Sequence, residues 1–184
     1  MTLLLATAKT LARGLLSGRE PRLTHVVAVG ELAESTRIVH PMLVPEHVVV
    51  AAWLHDVGYA DGVMRSGFHP LDGACYLRDN GWPAEVCSLV AFHTGAEIEA
   101  EERGIPTSLS GFKRPLAVDL DMLTMFDLSV GPQGQPLSPP QRIADILHRY
   151  GEQEPVHRAI RRSGDELIES AQRAAHRLTQ HTSE

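Results

Sequence analysis

Val48-Val49-Val50-Ala51-Ala52-Trp53-Leu54-His55-Asp56-Val57-Gly58 is the stretch on which the fold turns. Seven apolar residues run without a break into an imidazole and a carboxylate. Pro45 stands where a helix can begin, and Gly58 stands where one can stop. A helix apolar on every side lies inside a protein. Its end therefore delivers His55 and Asp56 to the interior. Both side chains are ordinary ligands of a divalent metal.

The same punctuation continues outward. Residues 2–17 read as an amphipathic helix ended by Ser17-Gly18. Pro21 opens a second, reaching about Val39 before Pro41. Residues 57–67 form a loop with three glycines. Pro70 starts a helix to about Asn80-Gly81, and Pro83 another to about Thr94-Gly95. Ala96–Glu102 reads as a short turn of helix, and 104–111 as a loop. Pro115 to about Asp127 is an apolar helix, and 131–136 a surface loop rich in glycine and proline. Ser138-Pro139-Pro140 predicts an N-cap with prolines in the first turn. One or two charged helices follow from Gln153. No β-alternation of useful length occurs, so the expected class is all-α. Residues 1–19 are expected to be an N-terminal helix, 20–130 the central domain, and 131–184 a helical segment packed on the same domain.

A net charge of −6 argues against a nucleic-acid polymer as partner, because phosphate-backbone binding needs a basic face. Cys75 and Cys87 form no CxxC and no disulfide framework. Lys9 and Arg13 interrupt the apolar N-terminus, which is not expected to be a signal peptide. No stretch of roughly 18 apolar residues predicts a membrane span. The expected location is cytoplasmic, with no membrane partner. The charged C-terminal segment offers a surface for a homodimer.

Of the ten histidines, His25, His69 and His93 join His55 by position. His25 lies among Leu23, Val26 and Val29. His69 precedes Pro70 at a helix start, and His93 follows Phe92 at a helix end. Asp121 lies inside an apolar helix, where an unpaired carboxylate would be costly. Singly, these residues read as a core histidine, a cap, a dipole-stabilised histidine and a buried acid. Together they supply enough ligands for two metals. One centre takes His25, His55, Asp56 and Asp121. The other takes His69 and His93, with Asp56 bridging. Asp119 is the alternative to Asp121.

With these residues in this order, the chain resembles the HD-domain superfamily of metal-dependent phosphohydrolases. The resemblance rests on His25, on Ala-Trp-Leu-His55-Asp56-Val-Gly and on Leu-Asp121-Met-Leu-Thr. His69 in Gly-Phe-His69-Pro-Leu-Asp-Gly-Ala and His93 in Ala-Phe-His93-Thr-Gly-Ala resemble the dinuclear branches. It implies a helical bundle with the metal site between helices. It also implies hydrolysis of a small phosphate ester, a monoester or diester and often a nucleotide. The implied cofactor is one or two divalent ions, Mn, Fe, Co, Ni or Zn, with Mg as a further candidate.

Many hydrolytic members continue the doublet as HD-x-x-K, and here Tyr59 takes the lysine's place. Tyr59 donates a hydrogen bond but carries no positive charge. Phosphate charge then falls to the metals or to Arg65, Lys113 or Arg114. Asp56, Tyr59, Lys113 and Arg114 are thus the expected catalytic residues, with a metal-bound hydroxide as nucleophile. The HD-GYP signature of cyclic dinucleotide phosphodiesterases does not follow the doublet. A dinuclear-iron HD-type oxygenase and a non-enzymatic HD-fold sensor or binding protein are the alternative readings.

Overall fold

The computed structural model describes residues 2–180. They form the helices α1 (Leu3–Leu15), α2 (Arg22–Val39), α3 (Glu46–Leu54), α4 (His69–Asp79), α5 (Ala84–Phe92), α6 (Ala96–Glu102), α7 (Ala117–Leu128), α8 (Pro139–Arg149) and α9 (Pro155–Gln180). Short 3-10 turns occupy Val57–Tyr59 and His93–Gly95. No strand is present among the described residues; Val130 and Pro136 make an isolated bridge across the 131–136 loop. No described helix is long and apolar enough to cross a membrane.

The all-α expectation is met, and α3 is its axis. Val48 through Leu54 are each fully buried, as an all-apolar helix requires. Helix α3 packs against α1, α2, α5 and α7. The α2–α3 approach is close because Gly30 faces the Trp53 ring. A Cβ at residue 30 would lie 2.3 Å from Trp53 Cε2. The indole Nε1 donates to Glu34 at 2.8 Å, so the one polar atom of the ring is satisfied.

The helix starts follow their local chemistry. Ser138 and Gln141 form a reciprocal capping box at α8, with Pro139 in the first turn. The C-terminal segment is one helix, α9. Its buried residues Ile160, Ser163, Leu167, Ala171 and Ala174 recur every three or four positions and face α6, α7 and α8. Leu128, Ile143, Ile146, Ile160, Leu167 and Ala171 make a second apolar cluster beside the main core. Helices α8 and α9 therefore form a wall against α7.

Candidate metal centre

Five helix ends or first turns meet at one point. His55 caps the C-terminus of α3, and Asp56 follows it. His69 begins α4, and His93 follows α5. His25 lies in the first turns of α2, and Asp127 near the end of α7. Helix ends serve this purpose because their side chains can turn across the axis towards a shared point.

The structure brings together five of the six expected ligands. His25, His55 and Asp56 offer ligand atoms within 4.8 Å of one another, and so do Asp56, His69 and His93. Asp56 belongs to both groups. Its Oδ2 lies 3.4 Å from His55 Nε2, and its Oδ1 lies 3.3 Å from His69 Nε2 and 3.9 Å from His93 Nε2.

Asp121 is the exception and a correction. It accepts bonds from Ser170 Oγ at 2.6 Å, Arg173 Nη2 at 2.9 Å and Arg177 Nη1 at 3.1 Å. It ties α7 to α9. Burial opposes its charge, but these hydrogen bonds prevail and hold its carboxyl below the usual range. Asp119, the alternative, pairs with His47 at 2.8 Å. The carboxylate at the cluster is Asp127, with Oδ1 3.1 Å from His25 Nε2 and 4.0 Å from His55 Nε2. Six residues at about 100° and 1.5 Å each put Asp127 about 240° around the helix from Asp121 and about 9 Å along it. Asp127 stands at the C-terminal end of α7, as His55 and His93 stand at the ends of α3 and α5, whereas Asp119 lies in the first turn of α7 and Asp121 inside it.

The donor set fits a divalent metal. The Nδ1 atoms of His25, His55 and His93 face the carbonyls of Gly131, Ala52 and Val90 at 3.2, 2.9 and 2.7 Å. A carbonyl only accepts, so each Nδ1 carries the proton and each Nε2 presents a lone pair inward. His55 Nε2 is buried with no hydrogen-bond partner among the described residues. His93 Nε2 faces His69 Nε2 at 3.1 Å. Buried acceptors facing acceptors, as His25 Nε2 faces Asp127 Oδ1 and His55 Nε2 faces Asp56 Oδ2, call for a cation between them. Donors about 2.1 Å from one ion lie roughly 3.0–3.4 Å apart when adjacent, the range of the His55–Asp56, His69–Asp56, His25–Asp127 and His69–His93 contacts.

The electrostatics agree. Burial works against the charge of Asp56, but Arg22, His55 and His69 outweigh it and hold the carboxyl well below its ordinary range. Asp127 is likewise depressed, burial being overcome by the His25 and His55 imidazoles beside it. Burial, then the neighbouring His93, Arg22 and His55, pushes His69 well down. Burial and His55 lower His93. Both imidazoles are neutral donors near neutral pH. His55 is drawn upward because Asp56 and Asp127 outweigh burial, so the cluster attracts positive charge at its Nε2.

Three surrounding residues complete the site. Arg22 Nη1 donates to Asp56 Oδ2 at 2.5 Å, and its guanidinium lies 4.1 Å from the Tyr59 ring centroid. Tyr59 in turn stacks on His69 at 4.1 Å. Burial and the charge of Asp56 prevail over Arg22 and keep the Tyr59 phenol protonated, well above its usual range. Arg22, which the sequence reading passed over, thus places a guanidinium beside Asp56 and Tyr59. The Thr94 hydroxyl donates to Asp127 Oδ2. Thr94 has φ 41°, a left-handed conformation unfavourable for a β-branched residue, beside His93.

Lys113 and Arg114 are a second correction. Arg114 pairs with Glu97, and Lys113 lines a separate cavity with His47 and Asp119. Neither lines the cavity at Asp56, His69 and His93. Arg65 also stays apart: its Nη1 donates to the Met64 carbonyl and its backbone to Asp72. The loops that carry these residues pack elsewhere.

A family model described as HD domain matches residues 22–151. The chain belongs to the HD domain family. Comparison with curated proteins and with solved structures gave no match. The matched stretch includes α8. Members of the family are mostly metal-dependent phosphohydrolases.

The exchange of Asp121 for Asp127 is open to direct test. Asp127→Ala is expected to lower metal affinity by more than about tenfold. Asp121→Ala is expected to keep the metal and to lose about 1–3 kcal/mol of stability by freeing α9. Metal analysis and urea unfolding of both variants check this. The reverse pattern would return Asp121 to the site.

Proposed function

We propose that this HD domain is a metal-dependent phosphohydrolase acting on a small phosphate ester, a monoester or diester. The observation that carries the reading is the pair of ligand groups sharing Asp56, with the buried Nε2 of His55 unpartnered. His25, His55, Asp56 and Asp127 would hold one divalent ion, and Asp56, His69 and His93 a second. Bound there, such ions acidify a water and neutralise charge on phosphate oxygens.

The chain's own residues do the rest. Asp56 stays ionised and aligns both groups. Arg22 fixes the Asp56 carboxylate and presents a guanidinium at the cavity wall. Tyr59, held protonated, can donate to a phosphate oxygen or to a leaving group, but its stacking on His69 makes orientation its first task. No nucleophilic serine or cysteine is required. Burial pushes the Cys87 thiol up to about 11, which keeps it inert.

Purified protein is expected to contain divalent metal, and chelation is expected to lower its melting temperature, because binding only the folded state stabilises it. Phosphate-ester turnover is expected to return with Mn, Fe, Co, Ni, Zn or Mg. Turnover unaffected by chelation would refute the reading. The two-centre ligand set also suits a di-iron oxygenase. Oxygen uptake by iron-loaded, reduced protein without phosphate release would select that chemistry instead.

A further inference from the structure

Two adjoining cavities meet at the candidate metal centre. One, of about 70 Å³, is lined by Asp56, His69, His93 and Asp127. The other, of about 260 Å³, is lined by Arg19, Arg22, Arg142 and Arg149, with His25 its only candidate ligand. Arg22, Tyr59, Arg142 and Arg149 border both. The larger chamber therefore carries four guanidiniums against one lining carboxylate, Glu20, which is engaged by Thr24.

The α8 arginines are the unexplained part. Arg142 is buried, its side chain 5% exposed, and its Nε has no hydrogen-bond partner among the described residues. Its Nη1 bonds Asp145 Oδ2 at 2.8 Å. Arg149 Nε bonds the same oxygen at 3.0 Å. Two guanidiniums thus share one carboxylate oxygen and leave a surplus positive charge at the cavity wall. A buried arginine with an idle donor is costly unless an anion completes it. Arg19 and Arg22 are paired with Asp61 and Asp56. The α8 pair is the under-neutralised one.

We propose that Arg142 and Arg149 bind a second anionic group of the substrate, so that the molecule processed here carries two phosphates, one at the metal centre and one in the arginine-lined chamber. The inference deepens the phosphohydrolase reading and rests on it for the reacting phosphate. A phosphate is the better match than a carboxylate. Several guanidiniums converge on the chamber, and a phosphate offers more acceptor oxygens than a carboxylate has. The chamber lies beside the ligand groups, so the second group is held without competing for the metal positions.

The test has a binding arm and a kinetic arm. Calorimetry measures inorganic phosphate binding to the full chain after metal removal, which needs no hydrolysis. Binding is expected in the native sequence, at least tenfold weaker in Arg149→Gln and Arg142→Gln, partly restored in Arg142→Lys, and unchanged in Arg114→Gln. In metal-loaded protein, the same α8 variants are expected to raise KM at least tenfold for a sugar bisphosphate and by a smaller factor for para-nitrophenyl phosphate, which has no second anionic group. Arg149 is partly exposed, so its variant guards against misfolding of the Arg142 variant. Equal phosphate binding in all variants, or none in the native chain, would overturn the proposal. Phosphate binding that depends on α8, with no turnover of any ester, would keep the anion site and defeat the hydrolase reading alone.

Discussion

Asp56→Ala is expected to empty both metal positions and to cut phosphate-ester turnover by about 10³-fold or more, roughly 4 kcal/mol at 1.36 kcal/mol per decade. The reason is geometric. Asp56 is the one residue whose two oxygens face both ligand groups, so its loss cannot be confined to one. The variant also strands Arg22, whose guanidinium is held by Asp56 at 2.5 Å, and breaking such a buried pair costs about 3–5 kcal/mol. Acid unfolding gives a second readout. The folded-state pKa of Asp56 is depressed, so its stabilisation is complete above the unfolded carboxyl value of about 3.9 and fades as pH falls towards the folded value. In metal-free protein the Ala variant should lack that share of the acid transition. Full metal content with native turnover in Asp56→Ala would end the two-group description of the site.

Gly58→Ala is expected to be the most damaging conservative change in the chain. A Cβ there would stand 2.0 Å from the His69 carbonyl oxygen and 2.8 Å from the Gly73 nitrogen. Both are backbone atoms of α4, so no rotamer change makes room. The 3-10 turn Val57–Tyr59 and helix α4 would have to separate, at a cost of about 3 kcal/mol or more. The separation acts on function directly, because His69 opens α4 and Tyr59 stacks on it. Urea unfolding should show the loss of stability. Metal analysis should show the Asp56–His69–His93 group losing its ion before the other. A variant with native stability would mean that α4 can shift freely, contrary to the packing seen here.

The helices were legible because their signals are local. The seven apolar residues before His55, the prolines at 45 and 83, and Ser138 ahead of Pro139 each act within one or two turns. Every expected helix is present, and the charged C-terminal stretch is one helix where one or two were expected. His55, Asp56, His69 and His93 were legible for the same reason. They stand at helix ends, where sequence shows both the stop and the apolar face behind it.

The acid from α7 and the cationic wall were not legible in this way. Asp119, Asp121 and Asp127 share one apolar helix, and its sequence is compatible with any of them facing inward. The surrounding motif favoured Asp121. Tertiary contacts assign the three differently: Asp119 to His47, Asp121 to the arginines of α9, and Asp127 to His25, 102 residues away. Arg142 and Arg149 come to the site only because α8 packs beside α7 and α9. By itself the sequence determined an all-helical chain that ends a buried helix in a metal-type doublet, because helix formation and burial are read from near neighbours. Only the tertiary structure decided which aspartate joins that doublet and which arginines surround it, because a side chain's direction depends on the partner its helix packs against.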